Sequence, residues 1–446
     1  MSQVSDSRNK LLSGVRSGPN DSQGETDTFG NPIDPVVGFA RGSIIRSSID
    51  EAVRLRHAQA IASQRVKALG AQSIGVFTGN QRYFPINPDD IATVCEEWVG
   101  PGLCAEELRQ VAIEHMGGRA DDEIAVFNRT SAGIIATIAA LASGKPVVSV
   151  VPPSGRSHAS AVRGAKIAGV GFVEIQADRD WRQAMDQNHP VLVVVTTVTS
   201  SLELLEDRIS VEIIQYARSL GAKLFLDEAY GARLRPILHG GQLSLQLGAD
   251  ISITNTDKAG LSGPRAGVLV GRRELVTAAG AKGAEFGMEA RAPIVAAALR
   301  SLEKYCPGDL QAEAAAGQEL AEALEKRLGR ELVQRSDLGP MVGEDALLQV
   351  MMERAGLGGQ IPVVVPSEAT AALGMVLLRD YGVLTVNTHG QPGARVSLRL
   401  KPTLNALSRV GGIDVVVHAV AESLDKVARI INDHDAMARL ILGVSP

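Results

Sequence analysis

Seven short apolar runs, separated by helical patterns, most constrain how this chain can fold. Nearly all of them are continuous, as expected for strands that are buried on both faces of a parallel sheet. Helical stretches such as Ile134–Leu141 and Val211–Ser219 lie between the runs. This alternation predicts an α/β fold with a doubly wound, mostly parallel seven-stranded sheet. The predicted strands are Ile124–Phe127, Val147–Val151, Phe172–Ile175, Val191–Thr196, Leu224–Leu226, Ile251–Ile253 and Val268–Val270.

Two of the predicted strands end in residues that carry chemistry. One runs into Asp227, followed by Glu228, Ala229, Tyr230 and Gly231, and the other leads through polar residues to Lys258. Open α/β sheets bind ligands at the carboxyl ends of their strands. Taken singly, the aspartate is a helix cap and the lysine a solvated loop residue. Their occurrence together at two strand ends favours a ligand site.

An amine, an acid and phosphate donors are the groups that pyridoxal 5'-phosphate requires from a protein. Lys258 can form a Schiff base with the cofactor aldehyde, and Asp227 can keep the ring nitrogen protonated. Ala229 and Thr256, each two residues from one of this pair, are further predicted cofactor-binding residues. The sequence therefore predicts a pyridoxal-phosphate site.

From about Ala68 to Ser445 the chain resembles the fold-type I pyridoxal-phosphate enzymes. The run Thr256–Gly271 contains the lysine, a glycine-rich turn with Gly263-Pro264, and a hydrophobic strand that starts with Ala-Gly. It is especially similar to the selenocysteine synthase (seryl-tRNA selenium transferase) branch and its archaeal look-alikes. The resemblance implies a smaller α/β C-terminal domain and a homodimer or larger symmetric assembly that completes its active sites between subunits. It also implies that Tyr83 or the N-terminal arm reaches the neighbouring site.

The predicted phosphate site lies between the strand Ile124–Phe127 and the helix that follows it. Small residues at a helix N-terminus offer backbone N–H groups and hydroxyls to an anion. The alternative is a plain N-cap made by one of the two hydroxyl residues. Arg265, after the lysine, resembles the arginine that backs the phosphate in aminotransferases, and its alternative is a surface ion pair. The candidate phosphate residues that follow Arg129 are Thr130, Ser131, Ala132 and Gly133.

Further cofactor contacts are predicted after two other strands. His158 lies in a His-Ala-Ser sequence similar to that of α-oxoamine synthases, which implies an imidazole stacked flat on the pyridine ring. The alternative is an ordinary surface or core histidine. Aminotransferases commonly carry an asparagine for the ring hydroxyl where this chain has Thr197, Thr199, Ser200 and Ser201. A hydroxyl, with Thr199 as the candidate, must take that role here, or nothing does.

Substrate-binding candidates lie nearer the two ends of the chain. Arg395 matches the position where fold-type I enzymes present a guanidinium to the substrate carboxylate, a task that suits its bidentate geometry. Arg399 shares the same strand face by the period of two. A solvated strand face is the alternative for both arginines. Tyr83, in the aromatic and polar segment Gly79–Pro85, is a third candidate, with a packed loop as its alternative.

The domain prediction has four parts. Residues 1–45 are polar and indicate disorder or an arm over a partner subunit. Residues 46–120 form the N-terminal helical part of the small domain, with a helix over Ser47–Leu69, and residues 121–292 form the large domain. Residues 293–446 form the C-terminal small domain, with a helical stretch Ile294–Leu328 broken near Pro307. Its predicted strands are Val363–Val365, Val383–Val386 and Arg395–Leu400.

Composition excludes several classes of partner. A net charge of −5 gives no basic surface for tRNA, so no nucleic-acid partner is expected. No apolar run of about 18 residues suggests a membrane span, and the polar N-terminus lacks a signal-peptide core. Cys95, Cys104 and Cys306 have no metal-ligand spacing, so we expect no metal site. A cytoplasmic enzyme is the expectation.

The resemblance implies β-elimination or β-replacement on a small amino-acid-like substrate. Lys258 would hold the cofactor as an aldimine and then act as the base at Cα. Phosphate, hydroxyl or thiol could leave, which includes carbon–sulfur chemistry. The alternatives are an aminotransferase, an α-oxoamine-synthase-type acyltransferase, or a non-catalytic scaffold, although a scaffold has no need to keep Asp227 and Lys258 aligned.

Overall fold

The computed structural model describes residues 25–389 and 397–443 of the chain. Its β strands, in chain order, are β1 Ile33–Asp34, β2 Phe39–Ala40, β3 Gly75–Val76, β4 Glu123–Phe127, β5 Val147–Val151, β6 Phe172–Gln176, β7 Leu192–Thr196, β8 Lys223–Asp227, β9 Ile251–Asn255, β10 Gly267–Gly271, β11 Gln334–Ser336, β12 Gly339–Val342, β13 Val383–Leu384 and β14 Leu398–Arg399.

Helices separate most of these strands, as the sequence pattern predicts. They are α1 Ser48–Leu69, α2 Gly100–Met116, α3 Thr130–Leu141, α4 Ala159–Ile167, α5 Trp181–Asn188, α6 Asp207–Ser219, α7 Gly231–Leu238, α8 Arg273–Glu285, α9 Ala292–Glu303, α10 Pro307–Leu328, α11 Glu344–Arg354, α12 Pro366–Val376, α13 Val386–His389, α14 Leu404–Val410, α15 Ile413–Ala428 and α16 His434–Leu442.

The central sheet has seven strands in the order β4-β10-β9-β8-β7-β5-β6. Strands β5 to β9 pair in parallel, whereas β10 pairs antiparallel with both β9 and β4. These are the seven strands predicted from the sequence, each with ends within two residues of the prediction. The predicted α/β fold with a mostly parallel seven-stranded sheet is therefore confirmed.

Both faces of this sheet are covered, which explains why its strands lack apolar–polar alternation. On one face, Val194, Phe225 and Ile253 pack with residues of α3 and α8. On the other, Val195 and Leu226 pack with residues of α5 and α6. Because successive strand residues point to opposite faces and both faces are covered, most positions in the inner strands are apolar.

The described residues divide into two compact units. One contains residues 82–307, with the seven-stranded sheet, and the other contains residues 25–81 and 308–443. Helix α2 belongs to the first unit, where Leu108 and Met116 pack with Val268 and Val270 of β10. Apolar packing on the sheet therefore places α2 in the first unit, and the division near residue 82 falls within the segment 46–120 that the sequence pattern groups together.

The second unit is largely helical, and its small sheets are β1-β2, β3-β13 and β11-β12-β14. Helix α12 is buried along its whole length. The predicted helix over Ser47–Leu69 is confirmed as α1, which Ser47 and Asp50 cap reciprocally. Among the described residues no single helix is long and apolar enough to cross a membrane, and only the pair α14 and α15, bent by 65°, reaches that length together.

Two predicted strands in this unit are corrected by the structure. Val363–Val365 forms no strand, because Pro366 cannot donate to a sheet ladder and instead starts α12, while the carboxylate of Glu368 accepts the N–H of Val365. The strand predicted over Val383–Val386 is limited to β13, and a helical turn follows it. Of the range Arg395–Leu400, predicted as a strand, residues 397–400 are described, and β14 is the part of them that forms a strand.

Replacing Gly267 by alanine should destabilise the protein by about 1–3 kcal/mol, because an added Cβ overpacks the interior. That atom would lie 2.7 Å from Thr130 Cα and 2.8 Å from Arg129 O, which are backbone atoms that cannot rotate away. Urea unfolding measures the change. Gly280→Ala is the matched control, since its nearest neighbour, Ala125 Cβ, is 3.6 Å away. An equally small effect at both positions would contradict this account.

Candidate active site

The residues predicted from the sequence converge at one edge of the central sheet. Strands β5, β7, β8 and β9 are parallel, and β4 runs in their direction because both β4 and β9 are antiparallel to β10. Strand β10 begins at the same edge, where Gly267 pairs with Asn255 and Phe127. The edge therefore carries Asp227, Lys258, Arg265, His158, the residues 129–133 and the residues 197–201.

Asp227 is the last residue of β8 and is only 6% exposed. Burial raises the pKa of its carboxyl group to about 6, against the opposing effects of the Ala229 N–H and the charge of Lys258. The Ala229 N–H donates to Oδ1 at 3.3 Å. A carboxylate this poorly solvated is stabilised by a cation, and a protonated pyridine nitrogen is one.

Lys258 follows β9, and its Nζ lies 4.8 Å from the centroid of the Tyr230 ring. Burial lowers the pKa of the amine, while the negative charges of Asp257 and Asp227 oppose that shift. A lowered pKa increases the fraction of neutral amine, which is the form that attacks an aldehyde. Sequence reasoning missed the contacts of Tyr230 and Asp257, although both are adjacent to the predicted pair.

The N-terminus of α3 forms the predicted phosphate end of the site. The helix begins at Thr130, and Arg129 takes the N-cap position without a side-chain cap. The Thr130 hydroxyl donates to Ala266 O at 3.4 Å, so the alternative of a cap made by Thr130 or Ser131 is not what the structure shows. The N–H groups of Ala132 and Gly133 donate to Arg129 O at 3.0 and 3.2 Å, which leaves those of Thr130 and Ser131 available to an anion.

Several guanidinium groups surround this helix end. Burial and the charges of Arg82 and Arg129 lower the pKa of Arg265 to about 10, and burial and the charges of Arg82 and Arg163 lower that of Arg129. Within the described residues, the side chains of Arg129, Arg163 and Arg265 make no ion pair or hydrogen bond, whereas Arg82 Nε contacts Asp257 Oδ2 at 3.3 Å. This excess of positive charge fits a phosphate group. Arg82 and Arg163 were missed from the sequence because no local motif marks them.

His158 occupies the N-cap of α4. Its Nδ1 accepts the N–H of Ser160 at 3.2 Å and lies 2.8 Å from the Ser160 hydroxyl. Burial, followed by the charges of Lys258, Arg163 and Arg129, lowers its pKa to about 3. The imidazole is therefore neutral near neutral pH and rigidly oriented, as stacking on a pyridine ring requires.

The predicted hydroxyl ligands have partners within the protein. Thr199 Oγ1 donates to Glu203 at 2.6 Å, and the Thr197 hydroxyl donates to the buried Glu228. Thr256 Oγ1 donates to Pro264 O at 2.6 Å and so closes the loop that carries Lys258. These hydroxyl protons organise the loops, so a cofactor hydroxyl would have to donate to Thr199.

The substrate-binding candidates fall in different parts of the structure. Tyr83 belongs to the unit of residues 82–307 and is 61% exposed. Arg399 belongs to the other unit, where it is buried and its Nε donates to Ser397 Oγ at 3.0 Å. Arg395 lies outside the described residues. Their roles toward a substrate stay predictions.

Comparison with known proteins agrees with the fold. No protein-family model matches the chain. The solved structure of the histidinol-phosphate aminotransferase from Clostridium acetobutylicum matches with a TM-score of 0.54 at 15% identity, covering 78% of this chain and 100% of that one. The fold is that of the fold-type I pyridoxal-phosphate enzymes.

Sequence relatives narrow this class. A UPF0425 pyridoxal phosphate-dependent protein from Methanothermobacter thermautotrophicus is 33% identical over 400 residues, which cover 90% of this chain and all of the relative. The chain belongs to this UPF0425 family. The L-seryl-tRNA(Sec) selenium transferase of Moorella thermoacetica is 27% identical over 177 residues, covering 35% of this chain and 36% of the relative. The family resemblance seen in the sequence is confirmed.

Asp227→Asn should stabilise the cofactor-free protein above about pH 6. Because burial raises the pKa of Asp227 from 3.8 to about 6, the folded state binds a proton more tightly than the unfolded state, and this stabilisation is lost as the pH rises through that window. The loss amounts to about 3 kcal/mol at most. Urea unfolding of both proteins at pH 4 and pH 7 measures it.

Asp121→Asn is the matched control, because the Asp121 side chain is 84% exposed. It should change the unfolding free energy equally little at both pH values. A stability difference between wild type and Asp227→Asn that does not depend on pH would contradict the raised pKa.

Proposed function

We propose that this chain binds pyridoxal 5'-phosphate through Lys258, with Asp227 facing the ring nitrogen and the phosphate between the N-terminus of α3 and Arg265. The observation that carries the proposal is the buried acid at the end of β8 and the half-buried amine just after the adjacent strand β9, whose charges each influence the pKa of the other. When bound, the cofactor supplies an aldehyde and a ring that withdraws electrons from the substrate carbon next to the amino group.

The protein's own groups divide the remaining tasks. Nζ of Lys258 takes up the proton of the substrate Cα, because burial favours its neutral form. Asp227 holds the proton of the ring nitrogen, and His158, neutral and fixed by Ser160, orients the ring. Arg399, or Arg395, binds the substrate carboxylate.

We assign β-elimination or β-replacement on a small amino-acid-like substrate as the reaction. The partial similarity to a selenium transferase supports this assignment, as does the sequence around Lys258. The hydroxyl residues Thr197 and Thr199 in place of an asparagine speak against a routine aminotransferase. With a net charge of −5, a free small molecule suits the chain better than a tRNA.

Lys258→Ala should lose both the adduct that borohydride fixes and all turnover, a rate decrease of at least about 10³-fold, because the base and the covalent anchor are removed together. Wild type, given serine, phosphoserine or cysteine, should release one ammonia and one 2-oxo acid for each leaving group. Mass spectrometry locates the adduct, and product assays measure turnover.

Lys166→Ala is the control, since Lys166 is an exposed residue of α4 away from the sheet edge. It should keep adduct and turnover. An adduct on another lysine in Lys258→Ala would contradict the assignment. Transfer of the amino group to the cofactor without loss of a leaving group would replace elimination by transamination.

We also propose that the chain forms a homodimer through the segment of residues 83–103. Large apolar side chains are unusually exposed there, with Trp98 at 94%. A second copy of the chain is the occupant that the fold-type I resemblance implies. The exposed apolar residues of this segment are Tyr83, Phe84, Ile91, Trp98, Val99 and Leu103.

The double substitution Trp98→Asp and Leu103→Asp should raise the dimer dissociation constant roughly 100-fold, about 3 kcal/mol, because unpaired carboxylates would be desolvated in the contact. Light scattering over a dilution series measures it. Ile361→Asp is the control, since Ile361 is 92% exposed but lies outside the segment. An active wild-type monomer would exclude the dimer.

A further inference from the structure

Arg233 of α7 lies directly beneath the loop that carries Lys258. It is only 1% exposed, and its guanidinium faces backbone oxygens of that loop. Its Nε donates to Lys258 O at 3.2 Å and to Ala259 O at 3.1 Å. One buried N–H group therefore holds the carbonyls of the two peptide units that follow the lysine.

The remaining donors of Arg233 are also occupied. Nη1 donates to Thr254 Oγ1 at 3.0 Å and faces His115 Nε2 at 3.2 Å. Nη2 donates to Asn255 Oδ1 at 2.9 Å and to Ala229 O at 3.5 Å. All five N–H groups of the guanidinium have acceptors. These hydrogen bonds connect the end of β9, Ala229 and the Lys258 loop rigidly to one another.

The hydrogen bond between Arg233 Nη1 and His115 Nε2 does not depend on pH near neutrality. Because an arginine only donates, His115 Nε2 accepts, so the imidazole is neutral. Burial and the charge of Arg233 lower the pKa of His115 to about 3. Its ring also packs edge-on against Tyr305 at 5.0 Å between centroids. The hydrogen bonds of Arg233 therefore persist across the physiological pH range.

The loop needs such support because its backbone is unusual. Ala259 has a φ of 51°, in the left-handed region that a residue with a Cβ rarely adopts, and Gly260 follows with a φ of 80°. With the carbonyls of Lys258 and Ala259 held on Arg233, the Lys258 side chain leaves the backbone in one fixed direction. Its Nζ lies over the Tyr230 ring.

We propose that Arg233 is a positioning residue, which fixes the Lys258 backbone so that Nζ meets the cofactor aldehyde and later the substrate Cα. The inference rests on the proposed role of Lys258. Arg233 touches the lysine only through backbone oxygens, and it acts by geometry. The charges that act most on Lys258 are those of Asp257, Asp227, Arg265 and Arg82.

Arg233→Lys separates geometry from charge. A lysine keeps the positive charge but has three donors on one atom and no planar fork, so it cannot hold both carbonyls together with Thr254 and Asn255. Cofactor-free protein is mixed with saturating pyridoxal 5'-phosphate, or with pyridoxal, which lacks the phosphate. Stopped-flow absorbance gives the limiting rate at which the lysine-bound cofactor forms.

We expect this rate to fall about tenfold in Arg233→Lys, the factor that corresponds to the loss of about one charged hydrogen bond. The factor should be equal for both aldehydes, because Arg233 acts on the lysine and not on the phosphate. Arg235→Lys is the matched control. Arg235 lies on the same helix, is equally buried and pairs with Asp207 and Glu228, so its variant should react within about twofold of wild type.

A wild-type rate in an Arg233→Lys protein that melts as wild type does would overturn the inference while leaving the proposed function in place. If Arg233→Lys does not fold, Thr254→Val removes one acceptor and keeps the shape of the side chain. It should react about threefold more slowly, and an unchanged rate would overturn the inference equally. A wild-type protein that forms no adduct at Lys258 would contradict the proposed function and the inference together.

Discussion

The removal of charged groups from water at one edge of the central sheet governs this structure. Asp227 and Lys258 are brought together by adjacent parallel strands. Burial raises the pKa of Asp227 and lowers that of Lys258, which favours the neutral form of each. Nearby, Arg129 and Arg265 repel each other, and neither forms an ion pair within the described residues, although the charge of Asp257 acts on both. Under the proposed function, pyridoxal 5'-phosphate would compensate both sets of charges, because its pyridinium would neutralise Asp227 and its phosphate would neutralise the guanidinium groups.

The single antiparallel strand of the sheet is what makes this convergence complete. Parallel strands deliver Asp227 and Lys258 to the edge, but a further parallel strand would enter the sheet from the opposite side. Strand β10 is antiparallel to β9 and therefore begins at the edge that carries Lys258. Arg265 and Gly267 consequently lie at that same edge. The absence of a side chain at Gly267 then allows the N-terminus of α3 to approach closely.

The sequence pattern predicted the large sheet well because its inner strands β5, β7, β8, β9 and β10 are buried on both faces and form continuous apolar runs. It failed at Val363–Val365, where an apolar run next to a proline has no periodicity that separates a strand from the start of a helix. In the candidate site, the strand-end motifs around Asp227 and Lys258 are short contiguous segments, so the sequence alone was enough to recognise them. The residues that the sequence left unassigned act through distant partners, as Arg82 does with Asp257 and Arg233 with the Lys258 loop. Such pairings depend on tertiary structure alone.

The crowding of like charges around α3 links the protein's lifetime to the supply of its cofactor. Guanidinium groups that lower one another's pKa cost folding free energy until an anion binds between them. A ligand that binds only the folded state stabilises it in proportion to the logarithm of its concentration. If the phosphate binds there, as proposed, newly made chains in a cell short of vitamin B6 should unfold more often and be degraded by proteases sooner, so that the abundance of the protein follows the supply of the vitamin.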